Sequence, residues 1–305
     1  MTNKKSLDKG IIFALLTAII SGISIFYAKI AVVKISPLVL TTSRNLWVAF
    51  LFLVYFIFSK KLKNIKALKK NELINLTLVG LIGGALPFYL FFTGLSVIGA
   101  QTANFIHKSL FIWVSLLAYI FLKEKLNLNY WLAFILIFIA NFFLMPFKFD
   151  FSRGELMVFS ATLLWAAENI LAKKILSRVS SETVGLFRMT VGSLILLLLL
   201  SINSQLNRLL AINNQQLVAI ILGGSILFFY VYFWYKALKY APASLVTLIL
   251  TFSVVVGNIL TGSFTNIRIL PKEILYSTLT IIALISILTS FYTKHRISKS
   301  KIFNI

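Results

Sequence analysis

Residues 104–113 read NFIHKSLFIW, a histidine and a lysine inside an otherwise apolar run. An ammonium in the middle of a bilayer costs at least about 2.5 kcal/mol on insertion scales, so Lys108 needs either a partner or a task. Advanced at about 100° per residue, Gln101, Asn104, Lys108 and Ser115 fall within roughly 60° of one another, giving one helix face a continuous polar stripe. The chemistry on offer is recognition: a cation flanked by amides and a hydroxyl can receive a carboxylate or a phosphate. A second charge, Glu168, stands in WAAENILAKK on a face shared with Trp165. At about 1.5 Å per residue, Lys108 and Glu168 lie roughly 12 Å and 21 Å below the same membrane face. Two readings follow. Either the two form a buried ion pair, or Lys108 receives an anionic solute while Glu168 carries a coupling proton.

Other polar positions repeat this arrangement. Ser244, Thr247, Thr251 and Asn258 share one helical face, and Thr17, Ser21, Ser24 and Ala28 share another. Hydroxyl stripes also serve helix packing through interhelical hydrogen bonds. Tyr230, Phe233, Trp234 and Ala237 form an aromatic face suited to the apolar wall of a cavity, with Pro87, Phe91 and Gly94 as counterparts. Tyr230, Trp234 and Trp165 are its candidate ligand contacts. Arg44 and Arg188, each about two turns into its helix, are assigned structural or gating roles because arginine at that depth can snorkel or brace a neighbouring helix. His107 lies about 100° around the helix from Lys108 and is expected to face a neighbouring helix. His295 falls in the basic C-terminal stretch and receives no role.

Enzyme chemistry has little to build on. The chain lacks cysteine, which removes thiol nucleophiles, disulfides and Cys-ligated metals. There is no phosphate-cradling glycine loop and no metal-ligand spacing, so neither a metal nor a cofactor is expected.

The positioning elements follow from composition. Of 305 residues, 59% are hydrophobic and 12% charged, against about 25% charged in soluble domains. A span needs about 20 apolar residues, which predicts ten helices near 10–33, 36–58, 72–96, 100–122, 129–146, 154–176, 182–202, 216–238, 242–264 and 271–293. The net charge of +22 does not gather on a folded basic face, so no nucleic-acid partner is expected. Twenty of the 30 Lys and Arg residues occupy alternate loops that share a side with the N-terminus, seven the opposite loops, and Arg44, Lys108 and Arg188 the spans. That bias places both termini in the cytoplasm of a multi-pass cell-membrane protein. The MTNKKSLDKG start precedes a retained first span, since no small-residue cleavage site is evident.

Sliding the chain by 144 residues aligns Gly10 with Gly154, Lys29 with Lys173, Arg44 with Arg188 and Gly80 with Gly224; a slip of one residue then aligns Leu95 with Leu238 and Ala100 with Ala243. Five helices per copy is an odd number, so the second copy enters the membrane upside down. Inverted repeats surround mid-membrane sites in secondary transporters.

The ten spans, the repeat, and the stretches WAAENILAKKILSRVSSETVGLFR (165–188), YKALKYAPASLVTLI (235–249) and YIFLKEKLNLNYWLAFILI (119–137) resemble the EamA-type branch of the drug/metabolite transporter superfamily across nearly the whole chain. The second-half counterpart of the acidic turn around Glu124 reads FTNIRIL, without an acid, and Ala133 stands where glycine is common. The resemblance implies an all-α integral membrane protein of two five-helix repeats, 1–150 and 151–296, with a basic cytoplasmic tail, 297–305. It implies a solute carrier with a central cavity, handling amino acids, metabolites or drugs as monomer or homodimer. With Lys108 in that cavity, the expected solute leans toward an anion or zwitterion, moved by alternating access. The competing class is a lipid flippase or scramblase, with a membrane-embedded enzyme behind it.

Overall fold

The computed structural model describes residues 4–30, 35–98, 100–126, 128–144, 150–266 and 268–300. They form ten long helices: α1 (Lys4–Ile30), α2 (Pro37–Phe58), α3 (Lys70–Ile98), α4 (Ala100–Lys108, resuming as Leu110–Leu122), α5 (Leu128–Leu144), α6 (Arg153–Ile175), α7 (Ser181–Ile202), α8 (Asn214–Tyr240), α9 (Ala243–Leu250, resuming as Ser253–Phe264) and α10 (Pro271–Ser300). No strand occurs among the described residues. All but α5 are long and apolar enough to span a bilayer over their described lengths. The fold is the expected all-α membrane bundle.

The helix ends reflect local chemistry. Pro37 and Pro271 open α2 and α10, where a missing N–H costs nothing. Ser152 with Glu155 and Asn213 with Gln216 form reciprocal capping boxes that satisfy the first amides of α6 and α8. Two ends differ from expectation. Helix α1 begins at Lys4 and α10 continues to Ser300, because hydropathy sees only the apolar part of a helix that runs on into interfacial lysines. The first residues of the expected 297–305 tail are therefore helical.

Packing follows the repeat. Helix α1 lies against α8 as α3 lies against α6, and α1 against α9 as α4 against α6; α2 pairs with α7, and α5 with α10. The close approaches are equivalent too. Gly10 backs onto Ala241 and Gly154 onto Ile98, while Gly224 receives Trp47 and Gly80 receives Val191. Even the connectors match: Lys60 (φ 55°) and Ser204 (φ 53°) both take the left-handed conformation, each shortly before a brief helix, Leu62–Lys66 and Asn207–Leu210.

Within α3, Gly80–Ala85 is π-helical, and this is where the repeat offset changes from 144 to 143. A π turn accommodates one extra residue, so the sequence slip is a physical insertion in one helix. The equivalent stretch of α8 stays α-helical. The widened turn crosses α7 backbone to backbone: a Cβ on Gly192 would lie 2.6 Å from the Gly84 carbonyl carbon and oxygen.

This crossing is testable by thermal unfolding in detergent. Gly192→Ala should destabilise by roughly 1–3 kcal/mol through overpacking. Gly257→Ala, where the added Cβ meets no atom nearer than 3.3 Å, should shift stability by less than that. Equal losses would refute the tight crossing.

Candidate functional site

Pro87 has no N–H to return to the Gly83 carbonyl four residues earlier, and neighbouring helices claim the carbonyls of this glycine-rich turn. The Gly83 carbonyl accepts from Trp165 Nε1 (3.1 Å) and Arg188 Nη2 (3.3 Å), and the Gly84 carbonyl from Asn45 Nδ2 (3.1 Å). Asn169 then links the two tryptophans. Its Nδ2 donates to the Trp165 carbonyl (2.9 Å), and its Oδ1 accepts from Trp234 Nε1 (3.1 Å). Glu168, 1% exposed, accepts from the Tyr235 hydroxyl at 2.6 Å. The Arg188 guanidinium lies 5.9 Å from the Tyr235 ring centroid. Glu168 is thus tied to α7 and α8 rather than to Lys108, whose ammonium stands 5.0 Å from the Tyr276 ring centroid on α10.

These side chains border two adjoining chambers. An aromatic chamber of about 310 Å³ is walled by Phe88, Phe91 and Phe92 of α3, Trp165, Glu168 and Asn169 of α6, Arg188 and Met189 of α7, and Tyr230 and Trp234 of α8. A hydroxyl-rich chamber of about 250 Å³ is bordered by Ser21 of α1, Lys108 of α4, Thr247, Thr251 and Ser253 of α9, and Tyr276. His107, Leu110, Tyr230 and Leu250 line both and form the waist between them. None of the described residues bordering the second chamber is acidic.

Helices α4 and α9 lose regularity beside this waist, at equivalent positions. At Ser109 the hydroxyl donates to the Ile106 carbonyl (2.6 Å), and at Thr251 the hydroxyl donates to the Leu248 carbonyl (2.6 Å). The second halves of both helices begin at the chambers, with Leu110 and Ser253 in the linings.

Of the expected contacts, Trp165, Glu168 and Trp234 border the aromatic chamber, Ser21, Lys108, Thr247 and Thr251 the hydroxyl chamber, and Tyr230 both. Ser24 borders neither. The side chains of Gln101 and Asn104 lie outside the described ones. Arg188 lines the aromatic chamber, while Arg44 packs instead over Gly223 of α8. His107 reaches neighbouring helices as expected, with ring centroids 4.8 Å from Trp165 and 5.4 Å from Phe91, and it also borders both chambers. Tyr276 and Asn169 carried no sequence signal beyond membership of apolar spans.

The two ends of the bundle differ. At the end holding the α4–α5, α6–α7 and α8–α9 connections, Glu124 caps α9, accepting from the Ala243 and Ser244 amides (2.7 and 3.1 Å) and the Ser244 hydroxyl (2.6 Å). Lys173 donates to the Leu238 and Ala241 carbonyls (2.5 and 2.7 Å), fastening the end of α8. Lys236 pairs with Glu182 at 3.5 Å and donates to the Tyr232 hydroxyl at 2.6 Å. At the other end a vestibule of about 280 Å³ opens between α2, α3 and α7, and Phe92 lines both this vestibule and the aromatic chamber.

The EamA-like transporter family matches residues 8–145 and again 152–289, two copies 144 positions apart (152 − 8). An "Uncharacterized transporter" of Methanothermobacter thermautotrophicus is 27% identical over 150 residues, which make up 46% of this chain and 43% of that protein. The chain thus matches less than half of that relative's length. A solved crystal structure superposes with a TM-score of 0.76 at 11% identity, over 92% of this chain and 96% of its own, and so shares the fold. With both halves matched, the chain belongs to the EamA-like transporter family of multi-pass membrane transporters.

Proposed function

We propose that the chain is a secondary-active carrier of a small organic anion or zwitterion bearing an apolar group, moved by alternating access between two inverted repeats, 1–150 and 151–296. The observation that carries this reading is the pair of chambers at the level where α4 and α9 are interrupted. Broken helices beside a central cavity are where transporters bind their solutes, and chambers of about 310 and 250 Å³ suit one small ligand. Lys108 is the anion contact, supported by the positive ends of the half-helices that start at Leu110 and Ser253. The aromatic chamber takes the apolar part. Glu168 is the carrier of a coupling proton, since a carboxyl held by Tyr235 and faced by Arg188 can lose or gain its proton as the bundle rearranges.

Orientation is supported by the matched connectors. The 59–70 segment carries Lys60, Lys61, Lys63, Lys66, Lys69 and Lys70, while its equivalent, 203–214, carries only Arg208. Backbone shape is shared, so the charge reports surroundings rather than fold, and the lysine-rich end, with both termini, is the cytoplasmic one. The cell membrane is the proposed location, and the bilayer and the solute are the partners.

Binding is testable by thermal shift, since a ligand that prefers the folded state raises its apparent stability. Carboxylates or amino acids with an apolar side chain should stabilise the wild type, and Lys108→Gln should abolish that shift, read against the variant's own ligand-free midpoint. Stabilisation by cations alone would overturn the solute class. In proteoliposomes, Glu168→Gln should lose uptake driven by a pH gradient yet retain solute counterflow; gradient-driven uptake that survives would remove the proton role.

A further inference from the structure

The vestibule and the ionic cluster at the opposite end are the same place in the two repeats. Subtracting 144 for α7 takes Glu182 to Leu38 (182 − 144), and subtracting 143 for α8 takes Lys236 to Thr93 and Tyr232 to Tyr89. The 143 register after the π turn is fixed by geometry, because Gly10 contacts Ala241 and its mate Gly154 contacts Ile98 (241 − 143). Lys61 likewise corresponds to Gln205 and Ser180 to Ser36. Leu38, Tyr89, Thr93, Gln205 and Ser36 all line the vestibule. Their mates are drawn together: Lys236 lies 3.5 Å from Glu182 and 4.0 Å from the Tyr232 ring centroid, Lys61 donates to Tyr55 at 2.9 Å, and the Tyr55 and Tyr232 rings meet edge to face at 5.9 Å.

One site, built twice on matching backbones, is therefore drawn together where it holds an acid and a base and lines a vestibule where it holds Leu38 and Thr93. We infer that the Glu182–Lys236 pair is a positioning lock for transport, holding α7 to α8 at the lysine-rich end, and that the absence of an equivalent pair between Leu38 and Thr93 is what leaves the vestibule the readier end to open. The missing acid in FTNIRIL, opposite Glu124, biases the two ends in the same direction. The inference rests on the alternating-access reading above, but it concerns the gates and not the solute.

The chain has no cysteine, so a single Leu227→Cys reporter, at a position that also lines the aromatic chamber, can be labelled with an impermeant maleimide from either side of oriented vesicles. Labelling should be fast from the vestibule side and slow from the lysine-rich side. Glu182→Gln should raise the slow rate by about twofold to fivefold, as expected for loss of one partly exposed pair, and the exchanged pair Glu182→Lys with Lys236→Glu should restore it. Leu38→Glu together with Thr93→Lys should lower the fast rate by a similar factor, which neither change alone does. Rates that ignore these changes overturn the lock. Should a variant not fold, the reporter alone suffices: raising salt from about 0.1 M to about 1 M screens ion pairs, and should speed labelling from the lysine-rich side only. An unchanged rate there, or equal acceleration from both sides, overturns the inference. Failure of every solute to be transported would instead overturn the carrier reading and leave these rates unaffected.

Discussion

A bilayer offers no hydrogen bonds to backbone groups, so the Gly83 carbonyl, which Pro87 leaves without its helical donor, must be satisfied by neighbouring helices. The centre of this protein is organised by that constraint. The carbonyls of Gly83 and Gly84 recruit Trp165 from α6, Arg188 from α7 and Asn45 from α2. Trp165 and Arg188 are thereby fixed on the wall of the aromatic chamber, and Glu168 is confined beside them, with its oxygen on Tyr235. Glycine is what permits it. A side chain at position 83 would collide with Glu168, and one at 84 with the Arg188 backbone.

The inserted residue also breaks the symmetry where asymmetry is useful. Both repeats keep an arginine over a glycine of the partner half, Arg44 over Gly223 and Arg188 against Gly83. Of the two, Arg188 borders a described chamber, beside the widened turn that α3 carries and the equivalent stretch of α8 does not. Two equivalent halves thus give a cavity with an acid and a guanidinium on one side of the waist and a lysine among hydroxyls on the other. At the ends of the bundle the same principle operates through side chains alone, since matching connectors carry six lysines or one arginine.

Spans, repeat and family were legible because hydrophobic length and the spacing of spans survive without any knowledge of packing. The slip at Gly80–Leu95 was legible as a number but not as a shape, since nothing in GLIGGA distinguishes a π turn from a flexible helix. The interruptions at Ser109 and Thr251–Phe252 sit inside windows that are apolar on average, so hydropathy passes over them. For His107 the helical wheel gave the packing against a neighbouring helix but not the place at the waist, because a wheel assumes one cavity and a regular helix, whereas here a break follows at once and two chambers meet. Depth along the axis suggested that Lys108 and Glu168 could meet, yet azimuth decides partners. Glu168 turns toward α7 and α8 while Lys108 turns toward α9 and α10.

The hydroxyl chamber also narrows the proposed solute by donor and acceptor accounting. Thr247 donates to the Ala243 and Ser244 carbonyls (both 3.0 Å), and Thr251 to the Leu248 carbonyl (2.6 Å). With those protons committed to their own helix, the two hydroxyls present lone pairs to the cavity, whereas Lys108 presents donors. A solute carrying only negative groups would confront those lone pairs without return. One that carries a carboxylate and, a few ångströms away, an ammonium or amide N–H can meet the lysine with the first and the lone pairs with the second. Buried polar groups left unpaired cost about 1–3 kcal/mol each, so the balance of the lining favours a zwitterion over a simple anion of the same size.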